Sequence, residues 1–150
     1  MKKLTLAALM APVILAGCAS QTPQTSSGDD LAVSKENMMH HRWVLTHVDG
    51  SPVKLAEGFN APDLEVGEHF TANGHGGCNR YFGEAELRNG QFRIEKMAST
   101  MMACPEPAMK LEDAMTKTLS NWSDVTLTRQ GLELKGQEHI LTFKLRDWVY

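Results

Sequence analysis

A chain of 150 residues with 15 basic and 18 acidic side chains has room for one small domain and a formal charge of −3. Lys2 and Lys3 fall in a segment that reads as removable, which brings the mature charge to about −5. No basic stripe remains, so nucleic acid is excluded as an expected partner, and contact with anionic lipid has to come from an anchor rather than from charge.

After the two lysines, residues 4–14 form an apolar run broken only by Thr5 and Pro12, followed by Leu15-Ala16-Gly17-Cys18. A positive start, a short apolar stretch and small residues ahead of a cut describe a secretory signal. The run falls short of the about 20 apolar residues that a bilayer-spanning helix needs. Leu-Ala-Gly-Cys resembles the lipobox of bacterial lipoproteins, in which the thiol receives a diacylglyceryl group before cleavage. Residues 1–17 are then the signal peptide, and Cys18 is the acylated first residue of the mature chain. Two or more acyl chains, at about 0.8 kcal/mol per buried CH₂, anchor stably where one binds marginally. Many inner-membrane-retained lipoproteins carry aspartate at the next position. Ala19 stands there instead, which favours outer-membrane delivery with the domain facing the periplasm.

Residues 19–36 are rich in Ser, Thr, Gln, Asp and Gly and hold little to bury, so 18–37 reads as a flexible lipid-anchored linker and 38–147 as the folded domain. There is no internal repeat and no second hydrophobic span. Of the three cysteines, Cys18 is taken by lipid, which leaves Cys78 and Cys104 in an oxidising compartment where a disulfide is the expected outcome. Closing a loop of roughly 27 residues stabilises a fold by about 3–4 kcal/mol in the chain-entropy model. The alternative is a nucleophilic or metal-binding thiol, which needs a nearby base and a depressed pKa that the sequence does not display.

Along the domain, Trp43, Leu45 and His47 alternate with Arg42, Val44 and Thr46, as in a half-buried strand, and Asp49-Gly50-Ser51-Pro52 is a turn signal. Leu64, Val66 and Phe70 predict a second strand broken or bulged at Gly67, and Asn73-Gly74-His75-Gly76-Gly77 reads as a loop or tight turn. Residues 81–87 and 91–96 flank Asn89-Gly90, the strongest hairpin signal present. Pro105-Glu106-Pro107 opens a helix with Ala108, Leu111, Met115, Leu119 and Trp122 on its apolar face and Glu112, Asp113 and Lys117 away from it. A meander over 125–128, 132–135 and 139–145 completes the chain. The expected architecture is α+β: one small domain, a curved antiparallel sheet resembling a cracked barrel, covered by one helix.

Two motifs carry a resemblance. Gly77-Cys78-Asn79-Arg80-Tyr81-Phe82-Gly83, followed by Met97-Ala98-Ser99-Thr100-Met101-Met102-Ala103-Cys104-Pro105, is similar to the double signature of the META domain, the HslJ-like family of heat-inducible bacterial lipoproteins. Matching family positions are Gly77, Cys78, Asn79, Gly83, Thr100, Met102, Cys104 and Pro105. Met101 departs from the pattern, since many members carry a basic residue there. The resemblance implies a non-enzymatic envelope protein tied to heat stress and to novobiocin tolerance. It also implies a fold like that of pilot lipoproteins, which hold a lipid or a peptide.

Read chemically, Asn79 has an amide suited to loop backbone groups, and Gly83 permits a bulge. Methionines are adaptable, and Met101, Met102, Met115 and Trp122 are the candidate lining of an apolar groove, with an apolar ligand or envelope protein as partner. No catalytic constellation is visible: no Gly-x-Ser-x-Gly elbow and no phosphate-cradling loop. The six histidines show no metal-ligand spacing, so no metal or cofactor is expected. A zinc site at His69, His75 and Cys78 is the alternative if the disulfide is absent. The rival functions are a metal-dependent or other hydrolase of envelope substrates, or a pilotin-like chaperone.

Overall fold

The computed structural model describes residues 29–148. Cys18, the expected signal peptide and the expected linker up to residue 28 lie outside them.

Short helix α1 (Lys35–Met38) leads into strands β1 (His41–Val48), β2 (Ser51–Pro52), β3 (Asp63–Val66), β4 (Thr71–His75), β5 (Arg80–Arg88) and β6 (Gln91–Ser99). Helix α2 (Glu106–Leu119) follows, then β7 (Ser123–Leu127), β8 (Gly131–Lys135) and β9 (Ile140–Trp148). All nine strands form one antiparallel sheet in the order β2-β1-β3-β4-β5-β6-β7-β8-β9, and β9 returns to pair with β1. The ring is incompletely sealed. Strands β6 and β7 share only the pairs Gln91↔Asp124 and Phe92↔Ser123, and α2 packs against β6 and β9.

Local chemistry accounts for most elements. The β5–β6 hairpin turns at Asn89 and Gly90, both at positive φ as a type I′ turn requires. A register shift beside Gly83 bends that hairpin as a bulge. Helix α2 has Pro105 as its N-cap residue, carries Pro107 in its first turn, and ends at Ser120, whose amide bonds Thr116 O. It buries Ala108, Ala114, Met115, Thr118 and Leu119. Of these, Ala114, Met115 and Leu119 join Trp43, Leu45, Phe92, Ile94, Leu132, Leu134, Leu141 and Phe143 in one core cluster. Each large side chain buried here stabilises by about 1.5–3 kcal/mol over exposure.

Two expectations are corrected. Asn73, Gly74 and His75 lie in strand β4, not in a loop. The glycine serves a close approach: a Cβ on Gly74 would sit 2.1 Å from Asp63 O and 2.7 Å from the Tyr81 hydroxyl. Ordered structure also begins ahead of Met38. Asp30 bridges Thr128, the Leu31 amide donates to Leu127 O at 2.8 Å, and the Ser34 hydroxyl caps α1. Leu31 and Val33, an apolar pair within the polar stretch, pack on the core and draw the segment onto the domain.

Candidate functional site

The two cysteine motifs meet at one point. Cys78 and Cys104 form a disulfide with their Cα atoms 5.9 Å apart, tying the loop after β4 to the residues just ahead of α2. Beside it the buried Asn79 uses its whole amide. Its Oδ1 accepts from the Met102 amide at 2.7 Å and from the Thr100 hydroxyl at 2.9 Å. Its Nδ2 donates to Met102 O at 3.1 Å and to Glu112 Oε1 at 2.8 Å. Glu112, in the second turn of α2, also accepts from the backbone N–H groups of Cys78 and Asn79 at 3.2 and 2.5 Å through Oε2. Gly77, at φ +126°, runs so close to the helix that a Cβ there would lie 2.8 Å from Ala108 O. These bonds make a clamp between loop and helix. Its polar atoms are engaged with one another, which is how buried polar groups are kept in a stable interior.

Next to the clamp, the first half of α2 and the β1–β2 hairpin enclose an open cleft of about 690 Å³. Val48, Pro52 and Val53 form one wall, and Met109, Leu111 and Ala114 the other. Charges stand at its edge. Glu106 pairs with Lys110 at 2.7 Å, which holds the Glu106 carboxyl below its usual range. The His139 ring bonds Asp49 Oδ2 at 2.8 Å, and Asp49 Oδ1 accepts from the Ile140 amide at 2.8 Å. The His139 hydrogen bond first, and that backbone bond second, hold Asp49 below the usual carboxylate range. The pair clasps the β1–β2 turn to β9. Ser51 lines the same cleft, yet no hydrogen bond joins its hydroxyl to His139.

The four residues expected to line a groove together do not gather. Met115 is 1 % exposed in the core, and Met101 (96 % exposed) and Met102 project from the loop before α2. Trp122 lies beyond the helix end, with Arg93 and Arg88 at 4.6 and 5.4 Å from its ring centre. The methionine that does face a cleft is Met109, on a different side of the 3.6-residue helix from Met115. Glu112, expected on the solvent side, is half-buried at the clamp. The thiol that a zinc site would need is in the disulfide, and among the described residues no three His, Cys, Asp or Glu side chains gather to hold a metal. Tyr81 is buried and donates to Asp63 O at 2.7 Å; burial first, and the Asp63 charge second, push its hydroxyl well above the usual tyrosine range.

An incompletely sealed antiparallel ring packed by one main helix, with a disulfide clamp at the helix start, defines an α+β domain of a known kind. The model of the META domain matches residues 36–148. The chain is 35 % identical over 136 residues to Heat shock protein HslJ of Escherichia coli (strain K12), covering 90 % of each. A protein structure solved by NMR is 34 % identical with a TM-score of 0.67, and the match covers 77 % of this chain and 97 % of that one. A second, from Burkholderia xenovorans, shares the fold at 23 % identity and a TM-score of 0.61, covering 83 % of this chain and 99 % of that one. This chain belongs to the META domain family.

Proposed function

We propose that this is a non-catalytic, outer-membrane-anchored envelope protein of the stress response that takes an apolar ligand, or an apolar segment of an envelope protein, between α2 and the β1–β2 hairpin. The observation that carries the reading is the cleft itself, whose walls are Val48, Pro52, Val53, Met109 and Leu111. Binding sites of small molecules are mostly apolar concavities of this order of size, edged by a few polar groups. The lipobox-like Leu15-Ala16-Gly17-Cys18 supports the anchor, and the name of the Escherichia coli relative, a heat shock protein, supports a link to heat. Tolerance of novobiocin rests on the family resemblance.

The test is a thermal shift of the mature protein against phospholipid acyl chains, non-ionic detergents and novobiocin. A ligand that prefers the folded state raises its stability by about 2.7 kcal/mol at a hundred times its Kd. A saturable rise in Tm that Met109→Glu abolishes, with the unliganded Tm of the variant unchanged, is the expected result. Trp43 lies in the core and Trp122 against two arginines, so neither lines this cleft, and a thermal shift is the readout of choice. No shift with any of the probes, or turnover of an envelope substrate, would overturn the reading.

A further inference from the structure

A second cleft, of about 360 Å³, shares no residue with the first. It lies on the side of β1 away from the core, where Arg42 alternates with the buried Trp43. Arg42, Asp63, His75, Arg80 and Arg146 come from five different strands, and Asn60 comes from the β2–β3 loop. Three of the chain's six arginines therefore meet in one small concavity of a protein whose net charge is negative. Asp63 is its single acidic lining residue.

The sheet register builds this arrangement. Asp63 pairs with His75 across β3–β4, and His75 pairs with Arg80 across β4–β5, so the three side by side follow from strand pairing. Asp63 is buried and engaged on both oxygens. Oδ2 accepts from Nε of Arg42 at 2.7 Å and from its Nη2, and Oδ1 accepts from the His75 amide at 2.7 Å. The carboxylate thus orients Arg42 and closes the end of β4. His75 Nδ1 accepts from the Gly77 amide at 3.2 Å, so the neutral ring carries its proton on Nε2 as a further donor. Arg80 is exposed, and its guanidinium makes no hydrogen bond or ion pair within the described residues.

We infer that this cleft binds a phosphate-class oxyanion. The Asp63 carboxylate takes only the Nε and Nη2 donors of Arg42, both on Oδ2, its other oxygen being met by the His75 amide. Guanidinium groups arriving from three strands, with an imidazole and an amide, suit a tetrahedral anion with three or more acceptor oxygens. The volume, about twelve times that of a water in the liquid, leaves room for a substituent on the phosphorus. Inorganic phosphate and the phosphodiester of an anionic lipid headgroup share this chemistry.

The test uses the mature, lipid-bearing protein in a neutral sugar detergent, with arginine Nε–Hε signals followed by NMR. Sodium phosphate is titrated against sodium chloride at matched ionic strength. In a second arm the protein sits in phosphatidylcholine nanodiscs with or without phosphatidylglycerol. The Arg80 signal should move saturably with phosphate and at least tenfold less readily with chloride. Arg80→Gln should weaken phosphate binding about tenfold at unchanged Tm, and Arg80→Lys should recover part of it. A response to phosphatidylglycerol without one to free phosphate supports the same site with a headgroup as ligand. Equal responses to phosphate and chloride, no response in either arm, or an undiminished affinity in Arg80→Gln would overturn the inference.

Discussion

Glu112 shows how much one side chain can do without leaving a trace in a hydrophobicity pattern. By periodicity it belongs with Asp113 and Lys117 on the wet side of α2, yet its carboxylate receives two backbone amides and the Asn79 side chain. Hydrogen bonds to a charged acceptor are each worth about 1.5–3 kcal/mol, more than neutral ones. Glu112→Gln keeps the shape but turns an amide NH₂ toward donors, so it should cost about 1.5–3 kcal/mol in urea unfolding with an unchanged m-value. A loss below about 0.5 kcal/mol would show that the clamp does not depend on this charge. Asn79 was readable as a residue that satisfies loop backbone; its partners, Met102 and Glu112, were not, because they come from elsewhere in the chain.

The disulfide joins two elements as well as two residues. With a sequence separation of 26, it pins the start of α2 to the loop after β4, and the Asn79 bonds run parallel to it. Cys78→Ala combined with Cys104→Ala should cost about 2–5 kcal/mol, the usual loss for a native bridge in a small exported domain. The doubly substituted protein should still fold, since the polar half of the clamp remains. Peptide mapping without reductant should find Cys78 and Cys104 linked, and two free thiols in the native protein would refute the bridge. Among the other elements, the β5–β6 hairpin and α2 were legible, because Asn-Gly and a proline start followed by a 3.6-residue apolar repeat are local signals. Strand β4 was not. Asn73-Gly74-His75 has the composition of a loop, and its glycine is explained only by the Asp63 carbonyl and the Tyr81 side chain lying against it.

At the scale of the whole protein, the residue on which the proposed anchor rests, Cys18, lies outside the described residues. The mature chain should carry acyl mass on Cys18 and fractionate with the outer membrane, whereas Cys18→Ser should leave it unprocessed or released. Intact-mass measurement of the membrane fraction checks this, and an unmodified soluble form of the native protein would sink the anchored reading. Within the domain, most strands other than β4, the main helix and the cysteine pair were readable along the chain, since periodicity, turn chemistry and cysteine count act locally or through composition. Closure of the ring is different. Trp43 lies opposite Leu145, and Asp63 reaches Arg42, His75 and Tyr81, through pairings between segments far apart in the chain. No local period specifies such neighbours. The two clefts, the clamp at Glu112 and the choice of Met109 over Met115 were therefore settled by folding, because each depends on which distant surfaces the closed sheet and its helix bring together.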